Sequence, residues 1–80
     1  MAIAMATVMS GTDPVSGAEV CWYECGSTEV KKSCTTGPNG MCYVFIDDGS
    51  YEADATAGEE TSERSGCVDY NGAGAVVLEL

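Results

Sequence analysis

The sequence has no histidine and only three basic side chains against 13 acidic ones, which gives a formal charge of −10 at pH 7. Without histidine, neither a Ser–His nor a Cys–His pair can activate a nucleophile. A chain this negative repels phosphate backbones and anionic lipid surfaces. The composition therefore excludes nucleic acid as a partner, and it predicts that the protein is not an enzyme.

Long hydrophobic runs are also missing. No apolar run approaches the roughly 18 to 20 residues that a membrane-spanning helix needs. The N-terminal segment MAIAMATVMSG lacks the basic flank and the sustained apolar centre of a secretory signal. The sequence therefore predicts no membrane insertion. Its residues 1–80 are expected to form one domain with a thin core, of the kind that cross-links, a metal or a partner usually supports.

What the sequence does contain is short runs of strand-forming residues separated by turns. The stretch 34–57 holds two such runs, each entered through a Gly-containing turn, TTGPNG and DDGS. The whole chain predicts an all-β protein of about seven strands, at residues 2–10, 18–25, 30–35, 41–47, 51–57, 67–70 and 75–80. The first strand is expected at a sheet edge, and residues 58–66 form a loop or one helical turn. The predicted core contains Tyr51, Val44, Ile46, Val20 and Trp22.

Two predicted strands, 18–25 and 41–47, carry apolar residues on both faces. A strand with one side in water normally alternates apolar with polar residues, so these two are expected to be covered on both sides. In a protein this small, the second cover indicates neighbouring subunits. We therefore expect a protein partner, as a homo-oligomer or a larger protein lattice or filament. The candidate interface residues are Met41, Tyr43, Phe45 and Tyr23.

Three segments, in the order DPVSGAEV, TTGPNGMCYVF and DDGSYEADATAG, resemble the carboxypeptidase regulatory-like domains of the transthyretin-like (prealbumin-like) group. The resemblance covers residues 12–58 and implies an immunoglobulin-like (prealbumin-like) antiparallel β-sandwich. It implies that Val20, Cys42 and Val44 occupy core positions and that Tyr51 stands at the family's G-x-Y position. Domains of this family are mostly accessory or structural modules of secreted and surface proteins, so the resemblance implies architecture more than activity.

Five cysteines are the densest chemistry in the chain: Cys21, Cys25, Cys34, Cys42 and Cys67. Strand counting gives Cys34 two candidate partners, Cys21 across a four-residue loop at 26–29 and Cys42 across GPNG. The resemblance favours the Cys34–Cys42 disulfide, because it places both on the same inner face. An odd total leaves at least one thiol unpaired or between chains, and several buried free thiols are the alternative. Zinc is poorly supported, since there is no C-x2-C pair and no histidine.

Oxygen-bearing side chains in the predicted turns are secondary candidates for metal binding. Asp47, Asp48, Asp69 and Asn71 offer the hard oxygen ligands that Ca²⁺ prefers, but the EF-hand spacing is absent. The sequence therefore predicts no cofactor. An accessory module is the alternative function, in which the turns 11–17, 47–50 and 69–74 grip a ligand or glycan. Trp22 at a loop rim would favour sugar stacking, whereas its mid-strand position predicts the core.

The expected location follows from a mismatch between cysteine content and N-terminus. Five cysteines in a sandwich of extracellular type point to an oxidising environment, yet the chain starts at Met1 without a secretory signal. A virion protein reconciles the two, because it is made in the cytoplasm and works outside the cell. The sequence thus favours a viral protein at the virion surface, most simply a capsid decoration or cement subunit. The alternative is an extracellular cell-surface filament or adhesin module whose signal peptide precedes this sequence.

Overall fold

The computed structural model describes residues 1–80 and contains nine strands and no helix. The strands are β1 (Ala2–Ser10), β2 (Asp13–Pro14), β3 (Glu19–Glu24), β4 (Val30–Thr35), β5 (Met41–Ile46), β6 (Gly49–Ala57), β7 (Glu60–Thr61), β8 (Val68–Tyr70) and β9 (Ala73–Glu79). The predicted all-β class is confirmed. The two-residue strands β2 and β7 were not predicted, because two residues carry no alternation. No helix that could span a membrane is present.

The strands form two sheets. In sheet A, β1 lies in the middle, with β5 and β2 antiparallel along one side and β9 parallel along the other. In sheet B the order is β4, β3, β6, and both β7 and β8 pair with the far side of β6. The chain crosses from sheet B to sheet A between β8 and β9, so that β9 runs beside β1 in the same direction.

The place of β1 corrects two expectations. Residues 2–10 were expected at an edge, but β1 is paired on both sides, as suits a strand without a single charged residue. The sandwich was expected to be antiparallel throughout, but β1 and β9 are parallel, from Ile3 opposite Ala73 to Met9 opposite Glu79. Side chains alternate in the same way in parallel and antiparallel strands, so the sequence pattern did not distinguish the two.

The β3–β4 pairing differs from the predicted register. Next to the loop, Val30 lies opposite Tyr23 and not opposite Cys25, a difference of two residues. A bulge between Trp22 and Tyr23 reduces the difference to one residue, so that Cys34 lies opposite Val20 and not opposite Cys21. A shift of one residue moves a side chain to the other face of its sheet. Cys34 is therefore partly buried against the core, on the inner face, and not beside Cys21.

One hydrophobic core lies between the sheets. Sheet A contributes mainly small side chains, since Ala2, Ala4, Ala6 and Val8 of β1 are all at most 1% exposed. The small β1 residues leave room for the large aromatic side chains of sheet B. All five predicted core residues are buried: Val20, Trp22, Val44, Ile46 and Tyr51.

The aromatic part of this core is tied together by its polar atoms. Trp22 is fully buried, and its Nε1 donates a hydrogen bond to the hydroxyl of Tyr70 at 3.3 Å. The rings of Tyr70 and Tyr51 meet edge to face, with centroids 5.9 Å apart. Tyr51 in turn donates its hydroxyl to the backbone carbonyl of Asp47 at 2.8 Å. Each buried side-chain nitrogen or oxygen atom therefore takes part in a hydrogen bond, as a low-dielectric core requires.

Two glycines permit close approaches that a side chain would prevent. Gly40 has a φ of +76°, and a Cβ there would lie 2.8 Å from both the Pro14 Cβ and the Val8 carbonyl oxygen. Gly74 of β9 lies directly on the ring of Tyr70, which a Cβ would overlap. Gly40 thus allows the 11–17 turn to pack against sheet A, and Gly74 allows β9 to close over the core.

Candidate assembly interface

The outer face of sheet A is a continuous apolar surface. Because the even-numbered residues of β1 are buried, its odd-numbered residues point outward. The strand register places Ile3 beside Phe45 and Met5 beside Tyr43 on one side of β1, and places alanines of β9 on the other side. We call this surface the apolar face; its residues are Ile3, Met5, Thr7, Met41, Tyr43, Phe45, Ala73, Ala75 and Val77.

The largest side chains of the apolar face remain open to solvent. Val77 is 63% exposed, Tyr43 is 59% exposed and Phe45 is 50% exposed. The rings of Tyr43 and Phe45 contact each other in a T-shaped arrangement, with centroids 5.9 Å apart. Contiguous exposed apolar surface of this kind marks an interaction site more often than scattered single residues do.

Charge is divided unequally between the two sheets. The strands β1 and β5 contain no charged residue, and β9 contains only Glu79 at its end. The strands of sheet B carry Glu19, Glu24, Lys31, Lys32, Glu52, Asp54, Glu60 and Asp69. A chain with a formal charge of −10 has thus kept its charges out of sheet A except at one end, where Asp13 of β2 and Glu79 of β9 lie. Depletion of charge at the centre is the compositional mark of a protein–protein interface.

The structure brings Met41, Tyr43 and Phe45 together but separates Tyr23 from them. Tyr23 lies on the outer face of sheet B and is only 9% exposed, because the guanidinium of Arg64 covers its ring at 3.7 Å. Its hydroxyl donates to the Asp54 carboxylate at 3.2 Å, and Arg64 also contacts Glu52 at 3.3 Å. Tyr23 was expected to be covered by a neighbouring subunit. It is instead covered within its own chain, by Arg64, the only arginine in the sequence.

Two disulfides fix the sheets. Cys34–Cys42 joins β4 of sheet B to β5 of sheet A, with Cα atoms 6.0 Å apart, and it is the pairing that the resemblance favoured. Cys25–Cys67 joins the end of β3 to the start of β8, with Cα atoms 5.7 Å apart. The second pairing was missed, because its cysteines are 42 residues apart and no local register relates them.

Cys21 is the remaining free thiol. It lies half-buried on the outer side of β3, and burial raises the pKa of its thiol, with the Glu19 and Asp54 carboxylates acting in the same direction. A thiol with a raised pKa carries little thiolate at neutral pH and is a poor nucleophile.

Comparisons with known proteins do not assign the chain to a family. No protein-family model matches it, and no curated protein is similar to it at a significant level. The resemblance to the carboxypeptidase regulatory-like domains therefore stays a prediction. The function has to be inferred from the residues and their geometry.

The calcium candidates lie at one end of the molecule and are engaged in local hydrogen bonds. Asp48 accepts a hydrogen bond from the Gly72 N–H at 3.3 Å, and Asp69 accepts one from the Ser50 hydroxyl. Asp47 and Asp48 line an open groove of about 450 Å³, together with Glu24, Lys31 and Tyr51. The structure brings no group of three acidic or thiol ligands to a common point.

The same end of the molecule bears on the alternative of a ligand-binding module. Two of the predicted gripping turns, 47–50 and 69–74, meet there through the hydrogen bonds of Asp48 and Asp69. The third turn, 11–17, lies at the opposite end of β1, beside Gly40. Trp22 is buried in the core, so it offers no stacking surface for a sugar. The turns therefore do not form one binding rim.

Proposed function

We propose that the protein is a non-enzymatic structural subunit whose copies assemble through the apolar face. The observation that carries this proposal is an uncharged, solvent-open sheet face on a chain with a formal charge of −10. The free energy falls when a surface of this composition is buried against another protein and removed from water.

The placement of charge supports self-association. Two copies of so acidic a chain repel each other unless their charges are kept apart. The charged strands form sheet B, on the far side of a molecule whose shortest extent is 16 Å. At physiological ionic strength the Debye length is about 8 Å, so contact through sheet A leaves the two charged faces well screened from each other. A solubilising surface and an assembly surface can thus coexist on one small domain.

The fold we propose is the immunoglobulin-like (prealbumin-like) β-sandwich of the carboxypeptidase regulatory-like domains. Two sheets enclosing one core support it, as do the buried positions of Val20, Val44 and Tyr51. Cys42, at another core position of that family, packs against the same core. The architecture suits a structural role, since it presents two broad sheet faces and no deep apolar pocket.

The setting we propose is outside the cell. Two disulfides in so short a chain are typical of proteins that work in an oxidising environment. The first candidate is a capsid decoration or cement subunit at the virion surface, where an acidic outer face keeps particles dispersed. The second is a subunit of a cell-surface filament or an adhesin. The gene's neighbours separate them: adjacent capsid or portal genes favour the virion, whereas an upstream signal peptide or a run of similar domains favours the filament.

Assembly through the apolar face predicts a specific effect of Phe45→Glu. We expect this substitution to weaken self-association by about 100-fold, because an unpaired carboxylate in an apolar contact costs about 3 kcal/mol. Sedimentation velocity across a concentration series measures the change. The fold should be retained, since Phe45 is half exposed and is not part of the core.

The matched control is Val30→Glu, which adds the same charge at an apolar residue of sheet B that is 53% exposed. This variant should assemble like the unmodified protein. Equal weakening by both substitutions would show that net charge, and not the apolar face, governs association. An unmodified protein that stays monomeric at high micromolar concentration would contradict the proposed function.

A further inference from the structure

We infer that β9 is a strand-addition edge, at which a second copy pairs its own β9 in antiparallel orientation. The inference deepens the proposed function, because it assigns one contact of the assembly to backbone hydrogen bonds at a defined edge. The pair of copies would share one continuous sheet of six long strands, in the order β5, β1, β9, β9, β1, β5. Isologous pairing of this kind has two-fold symmetry and closes on itself.

The backbone of β9 has a row of unpaired groups along one side, which starts after the isolated bridge between Asn71 and Ala73. The Ile3 N–H donates to the Gly72 carbonyl, and the Leu80 N–H donates to the Met9 carbonyl. In a parallel ladder, every second residue of a strand directs its N–H and C=O groups to the same neighbouring strand. These two bonds therefore show that the backbone groups of Gly74, Val76 and Leu78 pair with β1. Ala73, Ala75, Val77 and Glu79 consequently direct their N–H and C=O groups away from the sheet. Such a row of free groups is a template for another strand.

The other sheet edges are protected in the ways that natural proteins use. The edge strand β4 carries Lys31 and Lys32, and lysine on an edge discourages pairing. The strand β5 is the other edge of sheet A, and it is six residues long; the Cys34–Cys42 disulfide holds β4 of sheet B close to it. The strands β7 and β8 are two and three residues long. Only β9 combines seven residues, no lysine and no proline.

The loop nearest to β9 does not cover this edge. Residues Glu63, Arg64 and Ser65 stand across an open groove of about 340 Å³ from Val77, Leu78 and Glu79. At this end of β9 the loop therefore leaves the edge open to another strand.

A second copy is the occupant that area and charge favour. Three strands at about 4.8 Å spacing and seven residues at about 3.4 Å give the apolar face a flat footprint of about 340 Å². A standard interface covers about 800 Å² on each partner, so one face alone is too small. Pairing β9 with its copy doubles the footprint to about 680 Å² and keeps it continuous.

The register of such a pair also separates its only charges. With Val76 at the two-fold axis, Glu79 of one copy lies opposite Ala73 of the other, so the two carboxylates are at opposite ends. The outward-facing pairs are then Ala75 with Val77 in both directions, which places small and β-branched side chains across the new ladder on the apolar face. No like-charged pair opposes the contact.

The test removes one backbone N–H from the free edge of β9 and leaves the hydrogen bonds between β9 and β1 in place. In Ala75→Pro the lost N–H is one that β1 does not use, and proline is tolerated at an edge. We expect this variant to keep its circular dichroism spectrum and to lower the mass of the assembly in sedimentation velocity, because one apolar face alone is too small for a stable contact. The control Ala75→Ser keeps the N–H and should leave the mass unchanged. Combining Ala75→Pro with Phe45→Glu should give a monomer, whereas Phe45→Glu alone should leave the β9-paired dimer.

Hydrogen exchange gives a readout that does not depend on the variant folding. In a monomer the Ala75 and Val77 amides should exchange much faster than the Val76 amide, which bonds to β1. In the assembled protein we expect all three to be protected to a similar degree. The inference is overturned if the mass of the assembly is unchanged in Ala75→Pro, or if the unmodified protein is a monomer. It is also overturned if the Ala75 and Val77 amides stay unprotected in the assembly. If Phe45→Glu disperses the assembly and Ala75→Pro does not, the proposed function stands and the β9 pairing is wrong.

Discussion

Replacing Cys25 and Cys67 together by alanine is expected to lower the free energy of unfolding by about 4 kcal/mol. The disulfide closes a loop of 42 residues, more than half of the chain, and so restricts the unfolded state strongly. The Cys34–Cys42 disulfide closes a loop of only 8 residues, and its removal should cost about 2.5 kcal/mol. Urea denaturation of the two double variants, followed by circular dichroism, gives both values.

Cys21→Ala is the control for these variants, because the Cys21 thiol is free and lies outside the core cluster. It should change the free energy of unfolding by less than about 1 kcal/mol. The order of the two disulfide effects is the informative result. A larger loss from the short loop than from the long one would show that the disulfides act mainly through native-state contacts and not through the unfolded chain.

Trp22→Ala is expected to cost about 3 to 5 kcal/mol, which is a large fraction of the stability of a domain of this size. The side chain is fully buried, and the small residues of β1 on the facing sheet have no atoms with which to fill the cavity. The substitution also leaves the Tyr70 hydroxyl without the donor that it has at 3.3 Å. Thermal unfolding followed by circular dichroism measures the loss.

Trp22→Phe is the milder companion variant. It keeps a six-membered aromatic ring in the core and loses the indole N–H with two ring carbons, so we expect a cost of about 1 to 2 kcal/mol. If Trp22→Ala proved no more costly than Trp22→Phe, Trp22 would not be the central residue of the core. The comparison also checks the prediction, made from the mid-strand position, that Trp22 serves the core and not a ligand.

Much of the strand pattern was predictable because alternation is a local property. Each predicted run overlaps a strand, although β6 and β9 begin two residues before the predicted starts at Tyr51 and Ala75, and the five expected core residues are buried, since period-2 alternation gives the buried face directly. The partners of β1 were not predictable in this way. Its two-sided pairing and its parallel contact with β9 depend on where the chain crosses between sheets, which no single segment encodes.

The candidate interface was predictable in part for the same reason. Met41, Tyr43 and Phe45 share one side of one strand, so the sequence identified them as a row. Ile3, Met5 and Val77 joined them only when the sheet order placed β1 and β9 alongside. Tyr23 was assigned to the interface because no nearby residue was expected to cover its ring. Arg64, which does cover it, is 41 positions away in a loop with no apolar pattern. Long-range cation–π contacts of this kind leave no local pattern.

Methionine oxidation tests most directly whether the apolar face is covered in the assembled protein. Met5 and Met41 are each 37% exposed on that face, and Met1, at 83%, serves as the reference. With hydrogen peroxide in large excess, the rate of sulfoxide formation at each site can be followed by mass spectrometry at dilute and at high protein concentration. The proposed assembly predicts that Met5 and Met41 become several-fold slower at high concentration while Met1 is unchanged. Equal rates at both concentrations for Met5 and Met41 would contradict it.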